Sequence, residues 1–430
     1  MMNTTDEFFL TTPNLLLFES NDCPKTYEEL EALIRFSNAV DAKRSFQNLK
    51  VALLKAARHQ SSDFYVSLLP FLWSWAREKS KTIMARQLCD GPDVVILTQS
   101  ECLAILANAF FCTFSSRRSD NCISGPRLPS INFDELYGGY GSQSVARAKI
   151  CLLLEYFLRQ SERVATGDRL LRPVSFDRCQ AVAGTAEDWI ACRQPLLTPT
   201  VMTEETPLDE ARHAVRVDFA NSIIGGAAVA YGCVQEEIMF CVNPELICSR
   251  LYFPQLRDDE AVLIRGTEQF SVAQDYGLDL GFDGRFEDPS SIDGNGMLDS
   301  TILAVDAFDM RNHPPEFQYT SRIVLRELNK MWAGLTSIKN QTEVATGNWG
   351  CGVFEGDVEL KFLIQWLAIS RGQMNMLYFP YHESRISKGA IPIIDALIRA
   401  DISIGDCAKW LLEELRPGPV FNQLLEKWGM

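Results

Sequence analysis

A chain of 430 residues, 47% hydrophobic and 23% charged, has the composition of a folded globular protein with room for a sizeable core. Its formal net charge of −15 and its lack of any lysine- and arginine-rich run exclude a surface that neutralises a nucleic-acid backbone, so direct DNA or RNA binding is not expected. A phosphorylated small ligand is not excluded, because backbone N–H groups in a glycine loop or at a helix N-terminus bind anions locally.

The 13 cysteines form no CxxC pair and no Cys/His array at zinc spacing, and Cys102, Cys112, Cys151, Cys241 and Cys248 sit in apolar runs. Free thiols in a reducing compartment and no bound metal are expected. Residues 8–18 are partly apolar, but Asp6 and Glu7 stand where a secretory leader carries positive charge, and no run reaches the length of a membrane span. A soluble intracellular protein, nuclear or cytoplasmic or both, is the expectation.

In chain order, residues 26–79 carry apolar positions at helical spacing, as in Leu30, Leu33 and Ile34, then Val51, Leu53 and Leu54, then Leu68, Leu69, Phe71 and Leu72. Thr98-Gln99-Ser100-Glu101 supplies capping side chains to a second helical block with Leu103, Ile105, Leu106, Phe110 and Phe111. Residues 1–170 therefore read as a helical region, with surface loops predicted at 115–130 and 138–144. Beyond residue 170, short apolar runs alternate with glycine turns and helices. Strands are predicted at 215–220, 261–266, 302–308 and 376–379, and helices at 244–251, 320–335 and 357–369. That alternation indicates an α/β layer sandwich over 171–430. Two helices, 390–400 and 404–415, close it, and Pro417-Gly418-Pro419 stops the second.

The densest chemical constellation runs from Val217 to Leu246. A strand ends in Asp218 and Asn221, Gly225-Gly226-Ala227 follows, and Gln235-Glu236-Glu237 opens the next element. The glycines let backbone amides approach phosphate oxygens, while the absence of a following Gly-Lys-Ser/Thr excludes a nucleotide-triphosphate loop. Adjacent carboxylates diverge by about 100° on a helix, so one can face a scissile bond while the other orients a sugar. Crowding of the pair, with Val234, Ile238 and Phe240 around it, favours retention of a proton by one carboxyl at neutral pH, as a general acid needs. Alone, the triplet reads rather as a turn followed by the acidic start of a solvated helix, and it is the glycine loop, Asp218 and Asn221 beside it that favour a site.

Residues 217–246 are similar to the signature of poly(ADP-ribose) glycohydrolases, a glycine triplet followed about seven residues later by Gln-Glu-Glu. Further blocks resemble the same family in the same order: 103–114, Ile131-Asn132-Phe133, Gly266-Thr267-Glu268-Gln269, Arg326-Glu327-Leu328-Asn329-Lys330, 345–352 and Ile404-Gly405-Asp406. Together they cover roughly residues 95–415. The resemblance implies a macrodomain-like three-layer α/β/α sandwich with a mixed sheet, an N-terminal helical accessory region and C-terminal closing helices.

It also implies site roles. Glu237 would be the catalytic acid, Glu236 and Asn221 would hold the reacting ribose, Asp218 would support them, and Gln235 completes the motif. Gly225, Gly226 and Ala227 would line the first phosphate loop. Asn348, Gly350, Gly352, Val353 and Phe354 would form the second, with Asp357 starting the helix behind it. Tyr276 would fold over the ligand, Tyr381 would meet the adenine where the family carries phenylalanine, and Asp209 would supply the acidic adenine contact. Three further positions depart from the family: Ala227 for the third glycine, Phe270 for a tyrosine and Glu355 for a glycine.

The implied activity is hydrolysis of ribose–ribose bonds in poly(ADP-ribose), releasing ADP-ribose, without metal or organic cofactor. The implied ligands are poly(ADP-ribose), ADP-ribose and poly(ADP-ribosyl)ated proteins, met by a monomer. A non-hydrolytic ADP-ribose-binding macrodomain and a mono-ADP-ribose hydrolase would share the loops, although a mere reader has no need of both Glu236 and Glu237.

Overall fold

The computed structural model describes residues 16–38, 45–59, 64–79, 94–114, 128–139, 141–182 and 184–429. The loop expected at 115–130 lies outside them up to residue 127.

The strands are β1 Val94–Thr98, β2 Pro173–Gln180, β3 Thr200–Val201, β4 Val215–Ala220, β5 Glu260–Arg265, β6 Ser271–Gln274, β7 Gly281–Arg285, β8 Thr301–Asp306, β9 Glu343–Gly347 and β10 Asn375–Phe379. An 8-stranded sheet has the order β1-β2-β5-β8-β4-β9-β10-β3, and β6 and β7 form a separate hairpin. From β1 to β8 the neighbours are antiparallel; from β8 through β4, β9 and β10 to β3 they are parallel. The sheet is thus mixed, as expected.

Helices α1 Leu16–Ser20, α2 Tyr27–Asn38, α3 Gln47–His59, α4 Leu69–Lys79, α5 Gln99–Phe110, α6 Asp134–Gly138 and α7 Gln143–Ala165 come from the N-terminal third. They are followed by α8 Ala186–Ile190, α9 Gln235–Val242, α10 Ser321–Leu335, α11 Val358–Arg371, α12 Ser384–Arg399, α13 Ile404–Glu413 and α14 Val420–Trp428.

Strand β4 shows why the molecule is layered. Successive side chains of a strand alternate between faces. Val215 and Val217 join a core with Leu303, Val305, Val344 and Met376 of the sheet and with α10, α11 and α13. Arg216, Asp218 and Ala220 point the opposite way, where Ala220 shares a second core with Ile224, Met239, Phe240 and the helices α4, α5 and α7. Both faces are buried, yet β4 reads Val-Arg-Val-Asp-Phe-Ala, and its two charged residues, Arg216 and Asp218, share the α9 side.

Three expectations change. β1 lies inside the stretch read as wholly helical and supplies an edge strand to the sheet. Its five residues are too few to distinguish from a helical turn by periodicity, and Thr98 serves both as its last residue and as the cap of α5. The Thr98 cap itself is present: Glu101 N–H donates to Thr98 Oγ1 at 3.2 Å, and Thr98 N–H donates to Glu101 Oε2 at 2.7 Å. Residues 244–251 wind as a 3₁₀ helix buried along its whole length. A third closing helix, α14, follows the Pro417-Gly418-Pro419 stop and packs on α12 and α11.

The helical region and the sheet domain meet through a buried polar network. Gln99 of α5 donates through Nε2 to Glu245 Oε1 at 2.9 Å, and Glu268 N–H donates to Glu245 Oε2 at 3.1 Å. Arg163 Nη1 donates to Glu268 at 3.0 Å, while Arg163 Nη2 and Arg172 Nε each donate to Gln99 Oε1 at 3.1 Å. Burial, reinforced by the neighbouring Glu268, pushes the Glu245 carboxyl up to about 7 against the donors that hold it.

Because that value lies above the 4.5 of a free glutamate, the folded state binds the proton more tightly than the unfolded chain. The contribution is complete below about pH 4.5 and is lost as pH rises through about 7, on the order of 3 kcal/mol in all. Thermal unfolding of the natural chain should therefore fall between pH 5 and 8 more steeply than that of Glu245→Gln. Parallel slopes for the two would remove Glu245 as a source of the pH dependence.

Candidate active site

The residues singled out in the sequence converge where the parallel strands β8, β4, β9 and β10 end, the edge at which open α/β sheets bind ligands. Three chain segments build the site: 218–237 after β4, 348–357 after β9, and 380–382 after β10.

The first segment is organised by the three side chains that open α9. Gln235 pairs with the edge of β4 that β9 leaves open beyond Arg216, as a neighbouring strand would, since Phe219 N–H donates to its Oε1 at 2.8 Å and its Nε2 donates to Val217 O at 3.1 Å. Glu236 holds the loop from inside, accepting Asn221 N–H at 2.9 Å and Gly225 N–H at 2.6 Å. Glu237, third residue of the helix, reaches back to accept Val234 N–H at 3.1 Å and forward to accept Ala227 N–H at 3.1 Å. Carboxylates in a first helical turn are favoured by the helix dipole, so capping and chemistry make compatible demands on these positions.

The glycines are needed for space as well as for conformation. Gly225 and Gly226 have φ of +76° and +42°, and a Cβ on Gly226 would lie 2.6 Å from a carboxylate oxygen of both Glu236 and Glu237. Ala227 is outside the left-handed region, so its methyl is accommodated where the family has its third glycine. Asn221 closes its own turn, with Ile223 N–H donating to its Oδ1 at 3.0 Å.

Asp218 lies fully buried beneath this loop, and neither carboxyl oxygen has a hydrogen-bond partner among the described residues. Burial and then the charge of Glu237 raise its pKa well above the usual carboxylate range. Glu236 is raised likewise, by burial, Asp218 and Glu237, against the two backbone donors. Burial and mutual repulsion thus favour the neutral forms of Asp218 and Glu236.

Two cations, neither suggested by the signature, fix the loop from outside. Lys149 of α7 donates to Ala227 O at 3.0 Å, Ala230 O at 2.9 Å and Gly232 O at 2.7 Å, which uses all three of its protons. Burial lowers its pKa, with Cys241 and Glu237 opposing. Arg250 donates through Nη1 to Ile224 O at 2.7 Å and Gly226 O at 3.0 Å, and through Nε to Ser130 O at 2.8 Å. The helical region thus takes part in shaping the catalytic loop. Lys149 was detectable in the sequence only as a charge four residues after Val145 and three before Leu152, on the buried stripe of α7. Gly232 was missed too; a Cβ there would lie 2.4 Å from Glu237 Cδ.

In the second segment Asn348 is committed to its own scaffold, donating to Pro380 O at 2.7 Å and accepting from the Tyr378 hydroxyl at 3.0 Å. It anchors the start of the segment that carries Tyr381. Gly350 is packed on Ala307, Gly352 has open space, Val353 is half exposed, and Phe354 lies under the Arg311 guanidinium at 5.5 Å. Asp357 caps α11, accepting Leu360 N–H at 2.8 Å.

Glu355 is exposed and has φ of +59°, which explains why glycine suits this position. Glu355→Gly should leave stability equal or higher by up to ~1 kcal/mol, since relief of left-handed strain exceeds the added unfolded-state freedom. With its carboxylate in water, ADP-ribose affinity should move by less than about threefold at low and at high salt. Titration calorimetry at two ionic strengths checks this, and a salt-sensitive gain in affinity would show that Glu355 faces the ligand.

Tyr276 and Tyr381 stand edge to face with centroids 5.2 Å apart, a half-exposed aromatic pair beside the loop. Cys233 O accepts Gly277 N–H at 2.8 Å and so ties the Tyr276 turn to the catalytic loop. Burial raises the Tyr276 pKa, with Asp209 and Tyr381 adding to it. Asp209 lies 3.8 Å from the buried Arg216 guanidinium. Phe270 is fully buried, edge to face with Tyr156 at 4.8 Å, and a tyrosine hydroxyl there would need a buried partner.

Comparison with known proteins agrees with this architecture. Residues 186–388 match the family model described as poly(ADP-ribose) glycohydrolase, macro domain fold, and residues 56–178 match the helical domain model of the same family. A probable poly(ADP-ribose) glycohydrolase 2 of Arabidopsis thaliana is 29% identical over 423 residues, covering 84% of this chain and 80% of the relative. Poly(ADP-ribose) glycohydrolase 1 of the same plant is 29% identical over 406 residues, covering 77% and 69%. Poly(ADP-ribose) glycohydrolase 1 of Caenorhabditis elegans is 26% identical over 322 residues, covering 72% and 39%. A solved poly(ADP-ribose) glycohydrolase from Deinococcus radiodurans in complex with ADP-ribose aligns with 50% of this chain and 93% of its own at 18% identity, with a TM-score of 0.30.

Proposed function

Because this chain belongs to the poly(ADP-ribose) glycohydrolase family, we propose that the carboxylate cluster at the end of β4 hydrolyses ribose–ribose O-glycosidic bonds in poly(ADP-ribose) and releases ADP-ribose. The observation that carries this reading is the placement of Glu237, buried against the glycine loop, held by Ala227 and Val234 N–H and flanked by two carboxyls with raised pKa.

In this mechanism Glu237 gives its proton to the departing ribose oxygen as the glycosidic bond breaks and oxocarbenium character develops at the anomeric carbon. The resulting carboxylate then takes a proton from water as that water attacks the same carbon, which regenerates the acid. Glu236 and Asp218 keep the local charge low and the loop in place. The diphosphate lies along the 225–227 and 348–354 loops, and the adenine meets Tyr276 and Tyr381 near Asp209.

The substrate on this reading is the polymer on poly(ADP-ribosyl)ated proteins, acted on by a monomer in the nucleus, the cytoplasm or both. Incubation with labelled polymer and, separately, with a mono-ADP-ribosylated protein tests it. Free ADP-ribose should accumulate from the polymer. Release only from the mono-modified protein would reassign the enzyme to mono-ADP-ribose, and tight binding with no release from either would make it a reader.

A further inference from the structure

Directly behind the 350–356 turn lies a buried charge cluster. Asp306 ends β8, Arg326, Glu327 and Lys330 come from α10, and Lys361 comes from α11. Lys330 pairs with Asp306 at 2.5 Å, and Arg326 pairs with Asp306 at 2.7 Å and Glu327 at 2.5 Å. Glu327 also accepts Phe308 N–H at 3.1 Å and contacts the Lys361 ammonium. Among the buried groups three basic side chains face two carboxylates, Asp306 and Glu327. Asp258 also reaches Arg326, at 2.9 Å, but its side chain is 78% exposed and its charge is screened by water.

Of the three cations, Lys361 is the one that touches the turn. Its Nζ would be 3.2 Å from a Cβ on Gly350, and its Cε would be 3.1 Å from a Cβ on Gly356, whose N–H closes the turn on Gly350 O at 2.9 Å. The absence of side chains at Gly350 and Gly356 is what lets the end of Lys361 approach the turn this closely. The ammonium also lies 4.4 Å from the Trp349 ring centroid. Burial and Arg326 hold its pKa well below the ordinary lysine value while Asp306 opposes them, and the Glu327 carboxylate in direct contact favours the charged form. A charge this dry acts across a few ångströms with far less attenuation than a surface lysine.

We propose that Lys361 is a positioning residue for the ligand's diphosphate, its ammonium providing the positive charge behind the glycine turn against which the phosphates settle. The inference rests on the reading of the 348–354 loop as the diphosphate loop. It separates Lys361 from a purely structural lysine, because a structural role would not distinguish ligands with phosphates from those without.

Binding of adenosine, ADP and ADP-ribose to the full chain, measured by calorimetry for the natural protein and for Lys361→Met, Lys361→Arg and Lys330→Met, tests it. In Lys361→Met, ADP and ADP-ribose should weaken about tenfold or more while adenosine stays within about twofold. Lys330→Met removes a charge from the same cluster farther from the turn and should show a smaller loss. Equal weakening of adenosine and ADP, or of neither, in Lys361→Met overturns the proposal. Should Lys361→Met not fold, Lys361→Arg decides: it must retain the preference for ADP over adenosine, and a folded arginine variant without that preference overturns the proposal. A natural protein that itself binds ADP no better than adenosine would remove the diphosphate from this loop and the inference with it, whereas a natural preference that survives in Lys361→Met defeats the inference alone.

Discussion

Glu237→Gln is expected to lower polymer hydrolysis by ~10²–10⁴-fold, the usual contribution of a positioned acid–base group, while ADP-ribose binding persists. The variant keeps the volume and one carbonyl oxygen, but it can neither deliver a proton nor become a carboxylate. Both Glu237 oxygens accept main-chain N–H groups, from Ala227 and Val234, so the amide must turn its NH2 toward one of those donors. Val234 is the more exposed of the two, and the Ala227 bond is the one to be retained. The lost bond should cost about 1–2 kcal/mol and loosen ADP-ribose by no more than about tenfold. Single-turnover hydrolysis of labelled polymer beside product titration separates the two effects. Turnover near that of the natural protein would dismiss Glu237 as the acid.

The parts of this site that were legible in sequence are those in which local chemistry and global fold make the same demand. Asp218 and Asn221 at a strand end, two glycines with left-handed backbone, and a carboxylate pair in a first helical turn each follow from short-range rules, and their spacing brings them together. β4, α10 and α11 were legible for a similar reason, because their apolar runs are long and bounded.

What escaped was set by contacts distant in sequence. Lys149 lies 78 residues from Ala227, whose carbonyl it holds, and nothing local distinguishes it from a surface lysine on a long helix. β1 is a strand only because β2 offers it an antiparallel edge. Asn348 was assigned to the second loop from the resemblance, but its bonds to Pro380 O and the Tyr378 hydroxyl are a tertiary arrangement that no periodicity reports. Glu355 was visible as a departure from the family, but only its φ of +59° explains why glycine is usual there.

Gly232→Ala should reduce turnover nearly as far as Glu237→Gln, by about a hundredfold or more, although it removes no titratable group. A Cβ on Gly232 would fall 2.4 Å from Glu237 Cδ and 2.5 Å from its Cγ and Oε1. Gly232 is not among the residues with positive φ, so strained backbone adds nothing and the penalty is entirely steric. The side chain can retreat only by releasing the Ala227 or Val234 N–H that holds its two oxygens. The loop is restrained likewise, because Lys149 holds Gly232 O at 2.7 Å. The carboxyl must therefore leave its position relative to the ligand, and displacement of about 1 Å is enough for a loss of that size. Gly294→Ala, outside both ligand loops, provides the contrast: its Cβ would meet nothing within 4 Å and its backbone is ordinary, so activity should stay within about twofold. A Gly232→Ala enzyme that turns over normally would mean that Glu237 is mobile in the working site, and that the fixed geometry of the loop is not what positions the acid.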